Sequence, residues 1–242
     1  MYNSNRQSLE KRISRNLDIV REKITNACMR VGRNPDEVTL LAVTKMVDIE
    51  SIRASIKAGI TAVGENRVQE AREKQEKVAL PVDWHFIGHL QKNKVKYVLG
   101  NFCLMHSVDS YELAVEIDRL ASGKGLPPQE ILLQVNIGEE ETKHGLAPLK
   151  VVAEAERIST LPFVRIKGLM AIPPAPPDDD SEHSRHFFKK MVELKKEIVD
   201  RGFDPVSMDV LSFGMSGDYE VAIEEGSTIV RIGTAIFGER DY

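Results

Sequence analysis

The sequence predicts an α/β fold: a single TIM (β/α)8 barrel with an additional N-terminal helix. Three observations carry this expectation. Short apolar runs alternate with amphipathic stretches, which implies parallel strands joined by crossover helices. Eight such runs fall within 242 residues, the scale of one barrel domain. The turn after the first run lacks the GxGxxG pattern of a dinucleotide-binding doubly wound sheet, the main alternative for the same alternation.

The elements follow in order. Leu9, Ile13, Leu17, Val20, Ile24, Ala27 and Val31 recur at steps of four and three, one stripe of a long helix closed by Gly32, with Ser4 and Gln7 as a capping box at its start. After a turn at Asn34-Pro35 comes VTLLAVTK, residues 38–45, whose only charge is its last residue; such runs read as buried parallel strands. Further strands are expected at 62–66, 84–88, 104–108, 131–137, 166–172, 210–214 and 228–237, and helices at 49–58, 67–78, 92–99, 111–121, 149–159, 182–200 and 219–224. Asp109, with Glu112 three residues later, marks a helix start. The first helix is expected to stand in for the eighth, because the chain ends almost directly after its eighth strand. Residues 172–184, Pro-rich and then acidic, read as a surface loop. The expectation is one domain over 1–242, with 1–34 as a helix and turn packed on the barrel.

Composition narrows the function classes. With 42% hydrophobic and 29% charged residues the chain reads as a soluble globular protein. Thirty-three Lys and Arg against 37 Asp and Glu give a net charge of −4, which disfavours nucleic acid and anionic lipid as partners. Cys28 and Cys103 have neither metal-ligand nor CxxC spacing and read as buried free thiols of a reducing compartment. The first residues contain no apolar signal region, and no apolar run approaches the roughly 18 residues of a membrane span, so a cytoplasmic location is expected.

Three features carry chemistry. Lys45 shares a strand face with Val43, Leu41 and Thr39, which in a barrel places its amine at the C-terminal mouth, where desolvation favours the neutral, nucleophilic form. The alternative is a lysine that merely ends its strand and reaches water. Two turns rich in Gly and Ser, LSFGMSGDYE (211–220) and VRIGTAIFG (230–238), fall after strands seven and eight, where barrels often bind phosphate; each alone also fits a tight turn that needs glycine. Arg231 interrupts an apolar strand and must find acceptors, either in a site or in a structural ion pair. His85 and His89 stand four apart on a strand and its loop, without HExxH and without an evident third ligand, so no metal is expected. His183 and His186 read as solvated, and Lys92, Lys94 and Lys96 as a helix surface.

LLAVTK around Lys45, GENRVQE (64–70), WHFIGHLQKNK (84–94), HSVDS (106–110), GLMAI (168–172), LSFGMSGDYEVAI and GSTIVRIGTAIFG resemble, in order, segments of the pyridoxal phosphate homeostasis protein family. The resemblance runs from about residue 38 to 242, and seven ordered motifs are far more specific than one Gly-rich turn. It implies a barrel like the N-terminal domain of alanine racemase (fold type III) and pyridoxal 5'-phosphate as cofactor. Lys45 matches the lysine that forms the Schiff base, and Arg231 the arginine facing the pyridine nitrogen. Ser212, Ser216, Gly233 and Thr234 match positions around the phosphate, and Asn66 a cofactor-facing residue. Arg67 departs from the family, which commonly has an aromatic residue there, and residues 46–49 replace a stretch that often carries Thr and Pro.

What the resemblance implies for mechanism is binding without turnover. A carboxylate at the pyridine nitrogen makes the cofactor a strong electron sink, whereas an always-charged arginine leaves that nitrogen unprotonated. Racemases of this fold type add a tyrosine base from a second domain, and none is expected here; of the tyrosines only Tyr219, beside the phosphate loop, is a conceivable substitute. The expected role is reversible holding of pyridoxal phosphate in vitamin B6 and amino-acid homeostasis. Pyridoxal-phosphate-dependent apo-enzymes are the expected acceptors, a monomer the expected state, and neither catalytic residues nor a metal is expected. The alternatives are an amino-acid racemase and a Schiff-base aldolase acting on a sugar phosphate.

Overall fold

In the computed structural model, which describes residues 2–175, 180–204 and 206–239, eight parallel strands pair in chain order and close on themselves. They are β1 (Thr39–Val43), β2 (Ala62–Glu65), β3 (Asp83–Phe86), β4 (Leu104–Val108), β5 (Gln129–Val135), β6 (Val164–Ala171), β7 (Val210–Ser212) and β8 (Ile229–Ile232). Closure is made by β1 against β8, with Leu41 opposite Arg231. The helices are α1 (Tyr2–Arg30), α2 (Ile49–Lys57), α3 (Val68–Val78), α4 (Val95–Val98), α5 (Tyr111–Gly123), α6 (Val151–Ser159), α7 (Arg185–Arg201), α8 (Tyr219–Glu224) and α9 (Thr234–Phe237). The middle of the expected 172–184 loop, residues 176–179, lies outside the described residues, as do 1, 205 and 240–242.

Strand alternation divides the core in two. Leu41, Ala62, Leu104, Leu132, Met170 and Ile229 point inward and fill the barrel. Ala42, Val63, Val230 and Ile232 point outward, and the α1 stripe of Ile13, Leu17, Val20, Ile24 and Ala27 packs on them. α1 thus touches α2, α8 and α9 and fills the eighth helix position, as its periodicity implies. Asn16 Nδ2 donates to the Ile236 carbonyl at 2.9 Å and pins it there.

Several expectations are corrected. α1 already runs from Tyr2, so Ser4 lies within the helix and not at its start. β8 stops at Ile232 and residues 234–237 form α9, whose Ile236 is buried against α1; a short apolar run fits a buried helix turn as well as a strand. The helices expected at 92–99, 149–159 and 182–200 open with 3-10 turns, Lys92–Lys94, Pro148–Lys150 and Ser181–Ser184. The cap of α5 is Ser110, whose side chain accepts from the Leu113 amide, and not Asp109. Cys28 is buried, but Cys103 is exposed one residue before β4, its thiol donating to the Trp84 carbonyl at 3.3 Å. Among the described residues no helix is long and apolar enough to cross a membrane.

Candidate functional site

The loops at the C-terminal ends of the strands surround a cavity of about 570 Å³. Lys45, Asn66, Ser216, Arg231, Gly233 and Thr234 all line it, and Val43, Ile87, Val135, Ile172 and Met215 supply apolar wall. Ser212 does not line it; the side chain is fully buried beneath Arg231. A larger cavity of about 640 Å³ shares Asn66 and His89 and is also walled by Arg67, Arg72, Glu73, Glu76, Lys94 and Tyr97, but Lys45, Arg231 and the turns rich in Gly and Ser line the smaller one, where the chemistry is therefore sought.

The strand expected over 38–45 stops at Val43, and Lys45 follows it after Thr44, half-buried, its amine making no hydrogen bond or ion pair among the described residues. Its loop is held by residues the sequence reading did not single out. Lys74, on α3, reaches under the loop to donate to the Thr44 carbonyl at 2.5 Å and to Glu65 Oε1 at 2.9 Å, and it pairs with Glu70 at 2.6 Å. Thr44 Oγ1 donates to the same Glu65 oxygen at 2.5 Å, and the Met46 amide donates to Glu70 Oε1 at 2.5 Å. Met46 takes a φ of 58°, a conformation that costs a non-glycine residue and needs such external support. Burial pushes the Glu65 carboxyl up, while Lys74 and Thr44 pull it back. A charge inside an expected strand was the available signal for Glu65.

Asn66 continues from β2, and its buried Oδ1 has no hydrogen-bond partner. The β3 loop passes so close that a Cβ on Gly88 would lie 2.1 Å from the Asn66 carbonyl oxygen, so only glycine fits there. On the opposite side, Gly214 takes a φ of 90° and lets the β7 loop turn against α8, where a Cβ would meet Ala222 at 2.5 Å. Asp218 closes this turn by accepting from the Met215 amide at 2.7 Å and from Ser184 Oγ at 2.8 Å. The amides of Ser216, Gly217 and Gly233 have no acceptor among the described residues and are available to an anion.

Arg231 projects from β8 into the barrel mouth. Nη1 donates to the Ser212 carbonyl at 2.6 Å and to Ser212 Oγ at 2.8 Å, and Nη2 to the Ala171 carbonyl at 2.9 Å. Three of five donors are thereby used, leaving Nε–H and one Nη2 hydrogen. Burial lowers its pKa to about 10, and Asp218 opposes that, so it stays charged at neutral pH. A hydrogen-bonded chain continues from it across the barrel: Ser212 Oγ, which accepts from Arg231, lies 3.0 Å from His106 Nδ1, and His106 Nε2 lies 2.9 Å from His85 Nδ1. Burial holds His106 well below 6.5 and His85 at about 4, so both are neutral. His85 therefore belongs to the barrel interior, whereas His89 stands at the cavity rim. Tyr219 is buried against α1 and burial raises its phenol to about 12, which removes it as a base.

The arrangement combines an unencumbered amine, a fixed cationic donor, free backbone amides and apolar walls. The profile of the family described as alanine racemase, N-terminal domain, matches residues 12–241. The chain is similar to the pyridoxal phosphate homeostasis protein of Aquifex aeolicus (strain VF5), 46% identical over 227 residues, 93% of this chain and 97% of that one. It is similar in structure to PipY of Synechococcus elongatus PCC7942, solved with PLP bound, with a TM-score of 0.80 and 32% identity over 93% of this chain and all of that one. Alanine racemase of Clostridium difficile 630 shares the fold at a TM-score of 0.75 and 16% identity, covering 96% of this chain and 58% of that one.

Proposed function

The chain belongs to the pyridoxal phosphate homeostasis protein family, and from that premise we propose that its barrel cavity holds pyridoxal 5'-phosphate reversibly, on Lys45, in the service of vitamin B6 and amino-acid homeostasis. The observation that carries the reading is that the free Lys45 amine and the Arg231 guanidinium line one cavity with the Ser216–Gly217 and Gly233–Thr234 turns. The residues fit the group. The aldehyde of bound pyridoxal phosphate supplies a carbonyl that a primary amine can capture covalently and release again by hydrolysis.

Everything else is the chain's own work. The Lys74 clamp fixes the direction in which Lys45 presents its amine. Ser216, Gly217 and Gly233 amides and the Thr234 hydroxyl suit a phosphate dianion. The remaining Arg231 donors suit a ring nitrogen that accepts but carries no proton. Asn66 Oδ1, buried without a partner, calls for a donor from the occupant. The relatives are named for homeostasis and not for a reaction, and holding the cofactor for pyridoxal-phosphate-dependent apo-enzymes is the reading that needs no turnover.

The test is spectroscopic. The protein incubated with pyridoxal phosphate should absorb at visible wavelengths, lose that band on borohydride reduction and gain a covalent pyridoxyl mass on the Lys45 peptide. A Lys45→Ala variant that retained a reducible adduct at the same stoichiometry would overturn the assignment.

A further inference from the structure

Three side chains at the rim of the cavity play no part in the cofactor reading. His89 follows β3, Asp109 follows β4 and His144 sits on the loop after β5, and one ligating atom from each lies within 4.8 Å of the others. We propose that His89, Asp109 and His144 form a binding site for a divalent transition-metal ion of the zinc, cobalt or nickel class.

The geometry supports the set. The His89 and His144 rings stack with centroids 3.6 Å apart and planes 10° from parallel, so their in-plane lone pairs run parallel and the rings must rotate for both to face one ion. Asp109 Oδ2 lies 3.4 Å from His89 Nδ1. Ligand bonds of about 2.0–2.2 Å put neighbouring donors of a tetrahedral site about 3.4 Å apart, so the trio closes around an ion once the two rings rotate out of their stack. His89 and His144 are exposed and free to make that adjustment, while the backbone at His144 is held. Gln134 Nε2 donates to the His144 carbonyl at 3.1 Å, and the Leu146 amide to the Gln134 carbonyl at 2.8 Å.

Charge and ligand type select the ion. Two imidazoles and one carboxylate are borderline ligands that suit zinc-like ions, whereas magnesium and calcium prefer oxygen alone. The neighbouring cation, Lys143, is turned to the Pro173 carbonyl at 3.2 Å and pairs with Glu140. Three protein ligands leave a fourth position for water, as in open zinc sites. Because His89 and His144 also line the cofactor cavity, the ion would stand in its rim.

The experiment uses the full chain, freed of cofactor and of metal by a chelator, titrated with Co²⁺ by absorption and with Zn²⁺ by calorimetry. The expected result is one ion per chain, visible bands of a low-coordinate cobalt site, and at least tenfold weaker binding in each of His89→Ala, His144→Ala and Asp109→Asn. A His183→Ala/His186→Ala variant, altered at a histidine pair outside the trio, should bind like the parent. Absence of one-to-one binding, or binding that all three substitutions leave intact, would overturn the proposal. Because cofactor is absent throughout, neither outcome depends on the Lys45 assignment.

Discussion

Lys74 on α3 and Glu65 at the end of β2 form a buried ion pair, Nζ to Oε1 at 2.9 Å, directly beneath the loop that carries Lys45. Lys74 is 6% exposed and Glu65 not at all, so neither charge has water to fall back on. Removing one partner of such a pair strands the other, at a cost of about 3–5 kcal/mol, while replacing both with apolar groups is often neutral. Lys74→Met should therefore lower the urea midpoint steeply, and Lys74→Met/Glu65→Leu should recover much of the loss. Neither variant should recover full cofactor affinity, because both lose the bond from Lys74 to the Thr44 carbonyl that sets the Lys45 loop. Equal stability of the single variant and the parent would contradict the clamp.

The buried histidines make stability depend on pH with a definite sign. His85 has a folded pKa of about 4 against a usual 6.5, so the unfolded chain binds more protons between those values. Its contribution is complete above pH 6.5 and is lost as pH falls toward 4, a change on the order of 3 kcal/mol. His106 is shifted in the same direction by burial, reinforced by His85 and Arg231. Urea denaturation should show stability declining from pH 7 to pH 5, above the range where ordinary carboxylates titrate. A flat profile there would mean that the two rings are not buried neutral.

If backbone amides and the Thr234 hydroxyl hold the phosphate, as proposed, the cavity separates the vitamers. Charge-assisted hydrogen bonds contribute on the order of 1.5–3 kcal/mol each. Pyridoxal without its phosphate should bind at least a hundredfold more weakly than pyridoxal phosphate, measured by quenching of the bound chromophore or by calorimetry. Thr234→Val should cost about tenfold for the phosphorylated vitamer and nothing for the other. Equal affinity for both would remove the phosphate from these turns.

Lys45 and Arg231 are legible in the sequence because each places a lone charge at an apolar strand position, and strand parity then sends both to the barrel mouth. Glu65 leaves the same mark, but its partner Lys74 stands on the following helix, and a pairing across a strand-to-helix loop has no local pattern. The hydrogen-bonded chain from Arg231 through Ser212 and His106 to His85 joins four different strands or their ends, so only barrel closure creates it. The rim trio has the same origin: His89 is conspicuous in WHFIGH, yet Asp109 and His144 reach it from two other loops. Where periodicity alone decides, as over 228–237, a strand and a helical turn read alike until Ile236 is seen packed on α1.

Catalysis is expected to be absent or marginal, and the cause lies in Arg231. Labilising the α-hydrogen of a bound amino acid requires the cofactor ring to accept the electrons left behind, which a protonated ring nitrogen favours. Arg231 is charged at neutral pH, holds only donors and is fixed by Ser212 and Ala171, so it cannot turn to accept a proton from that nitrogen. Tyr219, the tyrosine nearest the phosphate turn in sequence, is buried against α1 and offers no base. Incubating the cofactor-loaded protein with alanine or serine in deuterated water should give at most slow α-exchange and no sustained racemisation. Arg231→Glu tests the cause, since a carboxylate at the ring nitrogen should raise the exchange rate; the variant must first be shown to fold, because the new carboxylate is buried and the Ser212 and Ala171 carbonyls lose their donor. Turnover by the unaltered protein at the ordinary enzymatic scale of about 1–10³ per second would make it an enzyme. If such turnover vanished in His144→Ala, the base would be at the cavity rim, and the binding-only reading would be wrong.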